Sequence, residues 1–178
     1  MLLIDHLSKY AAYHRDRRNI ATHFVGIPMI VLAIATLTAR PTLAAVSGFA
    51  LTPALLVTLG ALAFYFMLDL RYGLAMTVFN GLALWAGMRF AAQSTSTWLT
   101  LGIGLFVVGW IIQFVGHAFE GKKPAFLDDL RGLLVGPLFV VAEWGFLLGL
   151  RDDVRKTIED NVGPTLVRTA ADRAALSR

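Results

Sequence analysis

The stretch "FAAQSTSTWLTLGIGLFVVGWIIQFVGHAF" (Phe90–Phe119) contains no Asp, Glu, Lys or Arg. A helix of roughly 20 apolar residues crosses the hydrocarbon core of a bilayer, and this stretch is longer. It decides the fold class because it is not alone. Ile20–Ala39, Pro41–Leu68 and Tyr72–Met88 are equally free of those four residue types. A soluble chain of this size would have to bury four helices that are apolar on every face. The sequence therefore predicts an all-α integral membrane helical bundle with four spans. A fifth, shorter run, Gly132–Leu150, carries Gly136-Pro137 early and Glu143 in its middle. Those interruptions suit a re-entrant or tilted apolar helix better than a plain span. Ahead of the runs, Leu3, His6, Leu7, Tyr10, Tyr13 and His14 recur at helical spacing within Met1–Arg18. This predicts an amphipathic N-terminal helix on the membrane surface.

Composition agrees. The 178 residues are 57% hydrophobic and 16% charged, against about 25% charged in a soluble domain. Residues 1–150 read as one membrane-embedded domain and 151–178 as a charged surface tail with a frayed end. The N-terminus mixes both charge signs ahead of a long apolar run, unlike a signal peptide. The absence of cysteine excludes thiolate metal sites and disulfides. The net charge of +4 is dispersed, and no basic-aromatic interleaving points to nucleic acid. Lys9, Arg15, Arg17, Arg18, Arg71, Lys122, Lys123 and Arg131 sit at alternate ends of the runs. By the positive-inside rule, these ends face the cytoplasm of a multi-pass protein.

That parity bears on the histidines. There are four: His6, His14, His23 and His117. His23 opens the first run and His117 closes the fourth, so an even number of spans returns them to one membrane face, with His14 nearby. On one continuous helix His14 and His23 would face opposite sides at about 100° per residue. They can meet only if the helix breaks, and Arg15–Asn19 is the expected place, with Asn19 or Thr22 capping the next helix. His117 and Glu120 share a helical face. Neutral imidazoles bind zinc, iron, copper or nickel. Glu120, Glu143 or Asp69 would either complete such a site or orient an imidazole. Glu143 is the other anomaly, because an acidic residue inside an apolar helix marks a functional site by default. Asp69 beside Arg71 reads as an ordinary interfacial ion pair.

Three segments carry a resemblance: "YHRDRRNIATHFVGIP" (Tyr13–Pro28), "GWIIQFVGHAFEGKKPAFLDDL" (Gly109–Leu130) and "GPLFVVAEWGFLLG" (Gly136–Gly149). They resemble the motifs of small membrane proteins related to the fungal endoplasmic-reticulum 2-hydroxy fatty acid dioxygenase of phytosphingosine breakdown. The resemblance runs from about Leu7 to Leu150. The middle spans match only in hydrophobicity. It implies a non-haem Fe(2+) enzyme that converts a 2-hydroxy fatty acid and O2 to the fatty acid one carbon shorter, with loss of CO2. It places the metal on His14, His23 and His117, and further site roles on Asn19, Glu120 and Glu143. Asp16 and Arg17 stand where the family often has an asparagine and a proline, and Lys122-Lys123 replace an arginine pair.

The chemistry suits the residues. A 2-hydroxy acid chelates a metal through its carboxylate and hydroxyl, and three imidazoles then leave one further octahedral position. Lys122, Lys123 or Arg18 would attract the substrate carboxylate as point charges, and the acyl chain would lie among the spans. Two rival readings remain: another metal-dependent lipid hydrolase or hydroxylase, and a non-enzymatic membrane lipid-binding protein. Four histidines are few for a di-iron hydroxylase. Plentiful Ala, Gly, Leu and Arg point to a bacterial inner membrane, and the placement of the positive residues puts the site at its cytoplasmic face.

Overall fold

The computed structural model describes residues 2–46 and 49–172. Among the described residues the chain is all-α apart from one small hairpin and one isolated bridge. Its helices are α1 (Leu2–Ala11), α2 (Arg17–Ala39), α3 (Pro53–Leu68), α4 (Leu70–Ala91), α5 (Thr95–Glu120), α6 (Gly132–Leu147) and α7 (Asp152–Val162). The hairpin pairs β1 (Ala44–Val46) with β2 (Phe49–Leu51), antiparallel.

Three helices, α2, α4 and α5, are long and apolar enough to cross a membrane. The expected second span differs. Its run, Pro41–Leu68, divides into the hairpin and the 16-residue α3. The cause is local: Pro41 cannot continue α2, and Thr52 followed by Pro53 starts a new helix, with the Thr52 side chain accepting from Leu55 N–H. Hydropathy does not register such punctuation. The fifth run ends in a sharp bend, α6 and α7 meeting at 115°. Arg151 there adopts a left-handed backbone, φ 57°.

Two compact units emerge. One comprises Met1–Ile27 with Ile111–Arg178, the other Pro28–Trp110. In the second unit α3 and α4 form a helical hairpin around the single residue Asp69, whose side chain caps α4 by accepting from Tyr72 N–H. Small residues allow close approach there: a Cβ on Gly87 would press on the backbone of Ala35 and Thr36. Outward-facing leucines, valines and Trp85 remain exposed, as expected of surfaces that meet lipid.

In the first unit, α1 packs against α6 and α7. Its core is Leu3, Leu7 and Tyr10 from α1, Leu138, Phe139 and Phe146 from α6, and Val154 and Ile158 from α7. The amphipathic N-terminal helix is therefore shorter than expected and ends at Ala11. The segment after α7 returns to the core. Leu166 N–H donates to Arg15 O at 2.8 Å, and Arg17 N–H donates to Leu166 O at 2.9 Å, a parallel bridge. Residues 173–178, the expected frayed end, lie outside the described residues.

Candidate metal centre

The break between α1 and α2 makes the site. The chain leaves helix at Ala11 and re-enters at Arg17, earlier than expected. Asn19 and Thr22 lie inside α2 and do not cap it. Asp16 performs that role, its Oδ1 accepting Arg18 N–H at 2.9 Å. A short acidic side chain just ahead of a helix satisfies an amide that otherwise has no partner. Burial alone would raise the Asp16 carboxyl, but hydrogen bonds from the Arg18 side chain and from the Arg168 and Arg18 amides outweigh it and hold Asp16 at about 2.

The break turns His14 toward His23. The two ring centroids lie 4.5 Å apart, and His117, from the end of α5, lies 4.9 Å from His14 and 5.2 Å from His23. One nitrogen from each ring falls within 4.8 Å of the others, and all three residues are buried. Close approach of α5 depends on Gly116, where a Cβ would collide with the Thr22 and Asn19 side chains.

Hydrogen bonding sets the tautomers. His14 Nδ1 lies 2.7 Å from Tyr10 O, and His23 Nδ1 lies 2.9 Å from Asn19 O. A carbonyl oxygen only accepts, so each Nδ1 carries the proton and each Nε2 keeps its lone pair. Those two bare Nε2 atoms face each other at 3.0 Å. His117 Nδ1 is buried with no hydrogen-bond partner. Lone pairs converging in a buried space repel unless a cation lies among them, and carbonyl-fixed imidazoles are the usual way proteins hold a metal. The donor set fits a divalent transition metal without selecting one. Burial, followed by the neighbouring imidazoles, holds His14 well below the ordinary histidine range, which keeps it a neutral ligand.

Glu120 is fully buried, and both of its oxygens are occupied. Oε2 accepts from Arg15 N–H at 2.9 Å, Asp16 N–H at 2.7 Å and Asn19 Nδ2 at 3.2 Å. Oε1 accepts from Arg168 Nε at 2.9 Å and forms an ion pair with Arg168 Nη2 at 2.9 Å. The carboxylate thus ties the turn that bears His14 to the end of the helix that bears His117. Glu143 stands apart from the three imidazoles and faces Arg15 Nη2 at 3.8 Å. The three expected carboxylate-attracting cations have internal partners. Lys122 donates to Ala12 O at 2.8 Å, Lys123 pairs with Asp128, and Arg18 chelates Asp16 while lying over the Phe119 ring.

Residues 3–147 match the family described as 2-hydroxy-palmitic acid dioxygenase Mpo1-like. This chain belongs to that family. It is 30% identical over 162 residues to the 2-hydroxy-palmitic acid dioxygenase Mpo1 of Saccharomyces cerevisiae, covering 90% of this chain and 89% of the yeast enzyme. No solved structure matches it. The Mpo1-like match contains all three histidines, Asn19, Glu120 and Glu143, whereas Arg168 lies beyond it.

Sequence reasoning passed over four residues that shape the site. Tyr10 stacks on His14 with ring centroids 4.1 Å apart and nearly parallel planes. Arg15 and Arg168 hold or pair the two glutamates. Gln113 is 2% exposed, with neither amide atom hydrogen-bonded, one helical turn before His117. The i, i+4 spacing of Tyr10 to His14 and of Gln113 to His117 was the available signal for two of these residues.

Proposed function

We propose that this chain is an Fe(2+)-dependent 2-hydroxy fatty acid dioxygenase that performs α-oxidation at the cytoplasmic face of its membrane. The observation that carries the reading is the pair of bare imidazole nitrogens at 3.0 Å with His117 beside them, in a chain of this family. The reaction balances internally: RCH(OH)COOH and O2 give RCOOH, CO2 and H2O. Four electrons leave the hydroxy acid and four enter O2, so no outside reductant is involved. Iron, when bound by His14, His23 and His117, supplies the one-electron chemistry that lets O2 react with a closed-shell acid.

The protein's own groups prepare the site. The Tyr10 and Asn19 carbonyls hold two imidazoles in the ligating tautomer. Asn19 and Glu120 act as positioning residues by fixing the His14 turn, and Glu143 acts at one remove, through Arg15. Lys122, Lys123 and Arg18 contribute positive potential for the substrate carboxylate rather than dedicated hydrogen bonds, since each has an internal partner. Burial of all three imidazoles excludes bulk water.

Anaerobic loading with Fe(2+) and 2-hydroxypalmitate, followed by admission of O2, tests the reading. Pentadecanoate and CO2 are the expected products in equal amounts. A protein that holds iron stoichiometrically yet leaves 2-hydroxy acids of several chain lengths untouched would refute the reaction. A protein that holds no metal, or whose metal is indifferent to His23→Ala, would refute the site.

A further inference from the structure

Apart from the histidines, a cavity of about 420 Å³ opens between α2, α6 and α7, a size typical of ligand pockets. None of the three imidazoles lines it. Its charged lining is Arg15, Arg17, Arg155, Glu143 and Glu159. Three guanidiniums against two carboxylates leave one positive charge in excess. Two guanidinium nitrogens in this lining, Arg15 Nη2 and Arg155 Nε, are buried without a hydrogen-bond partner. Each has a carboxylate only at ion-pair range, Glu143 at 3.8 Å from Arg15 and Asp152 at 3.7 Å from Arg155. Buried donors are nearly always matched, so two unmatched donors in one cavity mark a place for an acceptor.

The remaining wall is apolar, chiefly Ile20, Phe24, Phe146 and Leu147. Leu147 is 73% exposed, and Leu148 and Leu150 beside it are exposed as well. The cavity therefore has an apolar rim at the bend between α6 and α7.

We propose that this cavity binds a long-chain fatty carboxylate, with its head on Arg15 and Arg155 and its chain along Phe24, Phe146 and Leu147. The two glutamates argue for a monoanion, because a second charge on a phosphate head would meet their repulsion. A neutral lipid's hydroxyl or ester oxygen can accept from a guanidinium but brings no charge to offset the cationic excess. The site does not depend on the proposed reaction, since none of the three clustered imidazoles lines it. The fatty carboxylate could come from the substrate and product of that reaction or from free fatty acid of the bilayer.

The test uses the full chain in zwitterionic nanodiscs, stripped of metal with EDTA. Trp144 serves as reporter after Trp85, Trp98 and Trp110 are replaced by Phe. Its ring lies 6.0 Å from that of Phe24, so palmitate brominated along its chain should quench it saturably. Unlabelled palmitate should reverse the quenching, while hexadecanol and hexadecyl phosphate should not. Arg155→Gln should weaken binding about tenfold, the loss of one charge-assisted hydrogen bond. Tighter competition by 2-hydroxypalmitate or pentadecanoate than by palmitate assigns the site to the acids of the reaction. Equal competition assigns it to membrane fatty acids in general. Absence of saturable quenching, equal binding of hexadecanol or hexadecyl phosphate, or unchanged affinity in a folded Arg155→Gln protein overturns the proposal. If that variant does not fold, the alcohol and phosphate arms decide. Because the protein is metal-free, failed turnover and failed binding are read separately.

Discussion

In the unit formed by Met1–Ile27 and Ile111–Arg178, buried polar side chains reach far along the sequence. Glu120 binds Arg15 across 105 residues and Asn19 across 101, and Arg168 returns to Glu120 across 48. In the unit Pro28–Trp110, Thr36 and Asn80 each bond a carbonyl four residues back in their own helix, and Thr52 caps three residues ahead. The second arrangement is what any helix in lipid achieves alone. The first exists only when distant segments meet, so its polar groups report on tertiary structure. In the second unit Trp98 Nε1, which donates to Thr36 O across 62 residues, does so as well, while the Thr36, Asn80 and Thr52 side chains do not.

The comparison can be broken most directly at the proposed metal ligands. His14→Ala and His23→Ala should each abolish stoichiometric metal and all turnover, read by elemental analysis and O2 uptake. Next comes Glu120→Ala, which leaves two amides, Asn19 and Arg168 without their common acceptor. Breaking a buried ion pair costs about 3–5 kcal/mol, and a fall of this order should appear in equilibrium unfolding in detergent, with weakened metal retention. A matched pair then sharpens the contrast. Asn19→Leu should cost about 2–3 kcal/mol through loss of its bond to a carboxylate, while Asn80→Leu should cost under about 1 kcal/mol. Equal costs would erase the distinction between the units. Gln113→Leu should leave stability unchanged or higher, because no hydrogen bond is lost, yet lower turnover. A drop in both would make Gln113 merely structural.

The smallest effect concerns pH. Lys123 and then Tyr13 hold the exposed Asp128 carboxyl below its usual value. A depressed carboxyl stabilises the fold above its unfolded pKa of about 3.9 and loses that contribution as pH falls below it. The small difference in melting temperature between Asp128→Asn and wild type at pH 7 should therefore shrink toward pH 3.

Much of this was legible in the sequence. Run lengths announced the membrane helices, counting them put His23 and His117 on one face with His14 nearby, and the family resemblance picked out those three histidines. The hairpin within Pro41–Leu68 was hidden because averaged hydropathy does not see Pro41 or the Thr52-Pro53 start. The role of Glu120 was hidden for a different reason. Its partners include the backbone amides of Arg15 and Asp16, and backbone amides look the same at every position of a sequence. Arg168 was obscured in the same way: on paper it belonged to a charged tail.

The clasp between Glu120 and the His14 turn also orders the protein's biogenesis. Contacts that close so long a loop form late, after helical hairpins such as α3 and α4 have assembled from neighbouring sequence. During synthesis His14 and His23 emerge together, but the turn between them stays unpinned until α5 has been made. The three imidazoles can therefore converge only in a chain whose α5 is already made.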